Sequence, residues 1–151
     1  MAAGIGGLAV DEVVDRYVSA FNAHDLGAIM DCYCSKPVTV GPGGPVEGRS
    51  EIASYYTRTW QAFPDMHFTV LRKVVDGAAT AVTAVATGRH TGPFALTTGD
   101  VLQSTGRYIS VRCCWFFALQ EGVIVNQQIF YDQLELYLQL GLPLSRLGPP
   151  D

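Results

Sequence analysis

The sequence YISVRCCWFFALQEGVIVNQQIFY, residues Tyr108–Tyr131, contains two long apolar runs on either side of a short polar connection. Tyr108–Leu119 and Val123–Tyr131 are rich in β-branched and aromatic residues, which are typical of strands. The connection Gln120–Gly122 is three residues long and ends in glycine, as in many turns between antiparallel strands. This stretch therefore predicts a long β-hairpin.

A second hairpin is predicted upstream of the first. Met66–Val75 and Ala78–Thr87 are again rich in β-branched residues, and Asp76-Gly77 between them is a strong turn signal. Gly88–Gly106 contains many Gly and Thr residues, which predicts a loop between the two hairpins. Pro37–Val40 predicts one further short extended segment.

Three helices are predicted before these strands and one after them. Apolar residues recur every three or four positions from Val10 to Phe21, which is the pattern of one helix face. Asp25 is the predicted N-cap of a short second helix, and Ser50 that of a third. The last helix is predicted over Gln133–Leu140. Helices followed by a meander of strands indicate an α+β domain.

Length and charge narrow the class of protein further. The 151 residues carry a net charge of −4 without a cluster of Lys or Arg, which disfavours nucleic acid as a partner. The start lacks a basic segment, and no apolar run approaches the roughly 20 residues that span a membrane. We expect a cytoplasmic protein with a flexible tail at 1–9, one domain over 10–142 and a C-terminal tail at 143–151.

The four cysteines do not indicate a metal site or a disulfide framework. Neither Cys32 and Cys34 nor Cys113 and Cys114 have the C-x-x-C spacing of a zinc site, and the three histidines are scattered. We expect reduced thiols and no bound metal.

Short motifs occur in a particular order along residues 10–142. They are Ala62-Phe63-Pro64-Asp65, Gly88–Phe94, Thr105-Gly106-Arg107, and Phe117–Asp132 followed by Gln139-Leu140-Gly141. In this order and spacing they resemble the SnoaL-like polyketide cyclases of the nuclear-transport-factor-2-like (NTF2-like) superfamily. Arg16–Leu26 is similar to the first helix of ketosteroid isomerase, which shares that fold.

The resemblance implies a cone, in which a strongly curved, mostly antiparallel sheet is closed by three N-terminal helices and a short C-terminal helix over one pocket. It also implies cofactor-free chemistry in which the Asp that matches Asp132 acts as general acid and base. Tyr17 matches the oxyanion-hole tyrosine of ketosteroid isomerase. However, Gly41 stands where that enzyme has its base and Cys114 near its second Asp, which disfavours steroid isomerisation by the usual groups. Ala118 and Gln128 replace a basic residue and a Trp that SnoaL-like sequences often carry.

Strand alternation predicts which residues face the pocket. We expect the mixed polar face of the hairpin to point inward, with 118 opposite 124, 116 opposite 126 and 114 opposite 128. Arg112 would then lie diagonal to Asp132 and hold its carboxylate ionised. The opposite face, Ile109 to Leu119, is wholly apolar, which favours a homodimer through an outer sheet face.

The candidate site residues follow from the resemblance and from these faces. The predicted catalytic residues are Asp132, Arg112 and Tyr17. The predicted substrate-binding residues are Gln128, Asn126, Cys114, Phe130, Phe116, Tyr33, Tyr56, Trp60 and His90. Asp132 has two further interpretations, because Glu135 lies three residues on, as in a capping box, and because it could simply line the pocket.

Three functions remain open from the sequence. The first is a cofactor-independent cyclase or isomerase that acts on an apolar polyketide-like molecule by acid–base catalysis. The second is an epoxide-opening enzyme in which Asp132, Asn126 and Gln128 hold a water. The third is a small-molecule-binding module without turnover.

Overall fold

The predicted long hairpin forms, with a tighter turn than expected. The computed structural model describes residues 3–143 and 145, and places strand β7 over Tyr108–Gln120 and strand β8 over Val123–Tyr131. Gln120 pairs with Val123, so the loop has two residues, Glu121 (φ 50°) and Gly122 (φ 76°). Two consecutive positive φ angles suit the right-handed twist of the flanking strands, which explains the tight turn.

The expected register is wrong by two residues along most of this hairpin. Phe116 lies opposite Gln128 rather than residue 126, because the turn is shorter and because β8 contains a bulge. Leu119 pairs with Ile124 and Ala118 with Asn126, which leaves residue 125 without a partner. The bulge brings Ile124 onto the same face as Gln127, whereas strict alternation had grouped Ile124 with Asn126.

The two faces of the sheet are the reverse of those we expected. The apolar face of β7 is buried against the helices, with Trp115 and Phe117 at most 1% exposed. Arg112, Phe116 and the β8 residues Gln128 and Phe130 are exposed on the outer face. The physical reason is the hydrophobic effect, because burying a wholly apolar strand face against the core stabilises the fold more than burying a mixed polar face.

In the part of the chain that the structure describes, the main sheet has six strands in the order β2-β1-β8-β7-β4-β3, all antiparallel except the β1–β8 pair. The other strands are β1 (Tyr33–Gly41), β2 (Gly44–Glu47), β3 (His67–Asp76) and β4 (Ala79–Arg89). The predicted loop at 88–106 also contains a small separate hairpin of β5 (Phe94–Ala95) and β6 (Val101–Leu102).

Within the described residues, four helices accompany the sheet: α1 (Ala3–Asn22), α2 (Leu26–Met30), α3 (Arg49–Ala62) and α4 (Gln133–Gln139). Asp25 caps α2 as predicted, because its Oδ1 accepts from the amide of Ala28 at 3.0 Å. The N-cap of α3 is Gly48 and not Ser50, since the chain enters the helix at φ 84°, which favours glycine.

Helix α1 begins earlier than the periodic pattern indicated. Its backbone is helical from Ala3, although 1–9 was expected to be a tail, because each residue added to an existing helix gains a hydrogen bond despite the cost of glycine. Residues 144 and 146–151 of the expected C-terminal tail lie outside the described residues. No helix among the described residues is both long and apolar enough to cross a membrane.

Candidate ligand cavity

A cavity of about 460 Å³ lies between the inner face of the sheet and helices α1, α3 and α4. Its lining is mainly aromatic and aliphatic, with tyrosine hydroxyls from four elements. The aromatic members are Tyr17, Phe21, Tyr55, Tyr56, Phe63, Phe68, Phe94, Trp115, Tyr131 and Tyr137. Such a volume and composition are typical of small-molecule sites.

Four polar side chains form a closed ring of hydrogen bonds at one wall of this cavity. Tyr17 Oη lies 2.7 Å from Tyr56 Oη, which lies 2.6 Å from Tyr33 Oη. Tyr33 donates to Gln127 Oε1, and Gln127 Nε2 donates to Tyr17 Oη at 2.9 Å. All four residues are at most 3% exposed. We call these four residues the tyrosine–glutamine ring.

The local structure explains how the ring comes together. Tyr17 lies on the apolar stripe of α1, Tyr56 on the buried face of α3, and Tyr33 at the start of β1. Arg49 Nη1 holds the start of β1 by donating to the carbonyl oxygen of Tyr33 at 2.9 Å. Gln127 reaches the ring because it lies on the inner face of β8, just beyond the bulge.

Burial keeps the cavity tyrosines protonated. Desolvation raises the pKa of Tyr17 to about 12 and that of Tyr55 to about 12. It also raises the pKa of Tyr33, Tyr56 and Tyr131 above the ordinary value for tyrosine. At neutral pH these hydroxyls are therefore neutral hydrogen-bonding groups and not bases.

Thr39 adds a hydroxyl of a different kind. It lines the cavity, is 5% exposed, and its Oγ1 makes no hydrogen bond of good geometry, although it lies close enough to the Tyr33 hydroxyl to oppose the rise in the pKa of that group. In the sheet, Thr39 pairs with Gln127, where β1 and β8 run parallel to each other. A buried hydroxyl without a well-formed hydrogen bond is uncommon and can bind a ligand oxygen.

The cavity carries no formal charge as far as the structure describes it. Among residues 3–143, none of its lining side chains is Asp, Glu, Lys, Arg or His. The described residues also contain no group of three or more His, Cys, Asp or Glu that could hold a metal ion. Cys113 lines the cavity, but burial raises the pKa of its thiol to about 12, so it is not a reactive thiolate.

Asp132 lies outside the cavity lining. It is exposed and caps α4, with Oδ1 accepting from the amide of Glu135 at 3.1 Å. The capping interpretation is therefore confirmed, whereas acid–base catalysis by Asp132 stays a prediction. The expected pairing with Arg112 is wrong: Arg112 lies opposite Val85 on the outer face, and the ion pairs of the described residues do not include it.

Most of the predicted substrate-binding residues on the hairpin face away from the cavity. With the two faces reversed, Arg112, Cys114, Gln128 and Phe130 line a wide depression of about 900 Å³ on the outer side of the sheet. Phe116 is 41% exposed on the same side, and Asn126 pairs with Ala118 there. The water site that epoxide opening required is thus not assembled in the cavity.

Several of the predicted site residues on the helices and β1 do lie at the cavity. Tyr17 and Tyr56 line the cavity, and Tyr33 supports them from behind. Trp60 packs behind the lining, stacked on Tyr56 with ring centroids 5.7 Å apart. His90 is fully buried outside the lining, and its Nδ1 accepts from the amide of Thr105 at 3.2 Å, so it holds the 88–106 segment.

Gln127 was the main residue that the sequence reasoning missed. Its signal was present, because it is a single strongly polar residue in the otherwise apolar series Val123, Val125, Ile129. A lone polar side chain on a buried face must find hydrogen-bond partners there, which marks it as part of a polar cluster. The same face supplies Trp115, Ile129 and Tyr131 to the cavity.

The curved sheet, the helices that close it and the tyrosine-rich cavity between them define an α+β protein with the NTF2-like, ketosteroid-isomerase-like fold. Residues 14–127 match the family model of the SnoaL-like domain. Because the match covers most of the chain, the chain belongs to the SnoaL-like domain family. Among curated proteins, none matches the chain significantly.

Several solved structures share this fold. A protein from Jannaschia sp. CCS1 superposes with a TM-score of 0.83 at 20% identity, over 95% of this chain and 99% of its own. IdmH from Streptomyces antibioticus gives a TM-score of 0.74 at 25% identity, over 88% and 99%. The first bears the name "Putative SnoaL-like polyketide cyclase" and the second "a putative polyketide cyclase". A Catenulispora acidiphila DSM 44928 protein with a ketosteroid isomerase-like fold gives 0.73 at 19% identity, over 92% and 98%.

Proposed function

We propose that the chain binds an uncharged, largely aromatic, oxygen-bearing small molecule of the polyketide type inside the cavity and promotes its ring closure. The uncharged lining carries this proposal. An ionised ligand group would lose its hydration there and find no opposite charge, which costs several kcal/mol. Tyrosine and threonine hydroxyls provide hydrogen bonds for neutral ligand oxygens.

Ring closure needs no ionised base in such a cavity. When an enol carbon of the substrate attacks a carbonyl carbon, the enol O–H becomes a ketone and its proton passes to the new alkoxide oxygen. The walls would hold a flexible chain folded so that these two carbons meet. Neutral hydroxyls would donate to the oxygen on which negative charge develops. Asp132 as the proton carrier stays a prediction, because its carboxylate caps α4.

Binding is tested by the fluorescence of Trp115, which lines the cavity. The other tryptophan is removed in a Trp60→Phe background. Neutral 9-fluorenone should quench Trp115, and 9-fluorenone-4-carboxylate should bind at least about 100-fold more weakly, because its charge must be desolvated. Equal affinities for the two ligands would refute the proposal.

The place of binding is tested with a matched pair of variants on β4. Ala86→Phe adds a ring to the cavity lining and should abolish binding of 9-fluorenone. Thr83→Phe adds the same ring on the exposed outer face, next to Cys114, and should leave binding unchanged. The opposite pattern would place the ligand in the outer depression.

Binding without turnover is the second candidate, and the missing charge among the described lining residues favours it. The two candidates are separated with 1-phenylhexane-1,5-dione, whose aldol closure and dehydration give an absorbing phenylcyclohexenone. Ring closure faster than in buffer, lost in Ala86→Phe, supports a cyclase. Saturable binding without acceleration supports a binding module.

A further inference from the structure

Every hydroxyl proton of the tyrosine–glutamine ring is used within the ring. Gln127 Nε2 donates to Tyr17, and Gln127 Oε1 accepts from Tyr33. With these two bonds in place, Tyr17 must donate to Tyr56 and Tyr56 to Tyr33. Each hydroxyl therefore donates once and accepts once inside the ring.

This result does not depend on which way the amide of Gln127 points. Exchanging its nitrogen and oxygen reverses the direction of all four bonds, yet each hydroxyl still donates once and accepts once. It does depend on Gln127 being present. Three hydroxyls in an open chain would leave one proton free at one end of the chain.

Tyr17 and Tyr56 are the ring members that line the cavity. A hydroxyl oxygen has two lone pairs, of which the ring uses one, so these two residues offer a ligand an acceptor and no free proton. A ligand hydroxyl can donate to them directly. A ligand carbonyl in the same place would have to break a ring bond to obtain a proton, at the cost of leaving a buried group unpaired.

Thr39 provides the complementary group. Its buried Oγ1 lines the cavity, and its proton makes no well-formed hydrogen bond within the protein, so it can turn to a ligand acceptor. The cavity thus presents an acceptor at the ring and a donor at Thr39.

We infer that the cavity selects neutral ligands that carry both a hydroxyl and a carbonyl, such as phenolic ketones or keto-enols, and that Gln127 is the positioning residue that sets this preference. The hydroxyl is bound by the Tyr17–Tyr56 side of the ring and the carbonyl by Thr39. The inference rests on the proposed function, because it specifies the ligand class of the same cavity.

The test uses 9-fluorenol and 9-fluorenone, which share one skeleton and differ in whether their oxygen donates. Calorimetry on the intact chain gives the reference ratio of the two affinities, which should lie within about threefold of one, because 9-fluorenol gains one hydrogen bond at the ring and 9-fluorenone gains one at Thr39. Gln127→Met opens the ring and lets the hydroxyl chain turn so that Tyr17 donates into the cavity. The fluorenol-to-fluorenone affinity ratio should then fall by about tenfold.

Further variants keep the test informative if Gln127→Met does not fold. Tyr33→Phe also opens the ring, leaves a free proton on Tyr56, and should lower the affinity ratio in the same direction. Thr39→Val should weaken 9-fluorenone and spare 9-fluorenol. Tyr108→Phe, at an exposed tyrosine outside the lining, is the control and should leave the ratio unchanged.

The outcomes separate this inference from the proposed function. If both ligands bind but neither ring variant changes their affinity ratio, the inference is overturned while binding of neutral aromatics stands. If neither ligand binds the unaltered protein, the proposed function fails and the inference falls with it.

Discussion

Removing one hydroxyl from the tyrosine–glutamine ring should destabilise the fold measurably. Tyr56 is 1% exposed, and its hydroxyl takes part in two ring bonds, of 2.7 and 2.6 Å. Phe fills the same space, so Tyr56→Phe leaves no cavity beyond the missing oxygen. Each bond contributes about 0.5–1.5 kcal/mol net, and the Tyr17 proton is left buried without an acceptor. We expect a loss of about 2–3 kcal/mol.

Urea unfolding followed by fluorescence measures this loss. In a chain of this size it corresponds to a fall in Tm of about 5–10 °C. Tyr108→Phe is the control, because this tyrosine is 54% exposed and lies outside the ring, and it should change stability by less than about 0.5 kcal/mol.

A double-mutant cycle tests whether the ring is closed. Once Tyr33→Phe has opened the ring, Tyr56→Phe should cost about 1 kcal/mol less than it does alone, because one of its bonds is already gone. Strict additivity, or a Tyr56→Phe variant as stable as Tyr108→Phe, would refute the reasoning.

Four further outcomes are expected. The free energy of unfolding should fall as pH rises from 10 to about 12, because Tyr17 ionises at its ordinary pKa of 10.0 in the unfolded chain and only near 12 in the folded chain. The fall should be smaller in Tyr17→Phe, which lacks this hydroxyl. Gly92→Ala should lower the free energy of unfolding by about 1–3 kcal/mol, because a Cβ at this position would lie 2.0 Å from a backbone carbonyl oxygen of α3. Gly27→Ala is the control, since its Cβ would meet only an ordinary contact at 3.6 Å. Asp132→Ala should lose about 1 kcal/mol of capping energy and Asp132→Asn almost none, as chemical denaturation can show. The apolar Ile109–Leu119 face from which we expected a homodimer is buried, so a dimer through the outer sheet face stays a prediction that rests on the exposed Phe116 and Phe130; sedimentation equilibrium should show a dimer that dissociates in Phe130→Asp.

For each of these predictions, one result would contradict the reasoning behind it. A flat stability profile above pH 10 would mean that the unfolded and folded chains ionise Tyr17 alike. A neutral Gly92→Ala would contradict the close approach of its loop to α3. Ring closure that disappears in Asp132→Asn, with stability unchanged, would establish the acid–base role that the cap disfavours. A monomeric unaltered protein would exclude the dimer.

Local signals in the sequence predicted most of the elements. The Asp76-Gly77 turn, the Asp25 and Asp132 caps and the apolar stripe of α1 each depend on a few neighbouring residues, and each is found in the structure. The cap of α3 was misplaced because a polar candidate, Ser50, stood two residues beyond a glycine whose positive φ the sequence does not reveal.

The site was harder to predict, because it depends on which face of the sheet is covered. We expected polar residues to mark the pocket, and this placed Arg112, Gln128 and Asn126 inside. The structure buries the apolar face, and the tyrosine–glutamine ring beside the cavity joins tyrosines of three separate elements to Gln127. Tyr17, Tyr33 and Tyr56 are far apart in the chain, and only the folded sheet brings their hydroxyls together.

The bulge at residue 125 also affects how this hairpin can change in length. Ile124 and Gln127 are three positions apart and both face the interior, which a strand with a side-chain period of two allows only because residue 125 is an extra, unpaired residue. Deletion of residue 125 would therefore remove the bulge and leave both side chains inside without any change in the Glu121-Gly122 turn, whereas a deletion elsewhere in the strand would turn one of them outward. Relatives whose hairpins differ by one residue should be aligned separately on the two sides of the bulge, since counting back from Asp132 and counting forward from the turn assign different inward-facing positions.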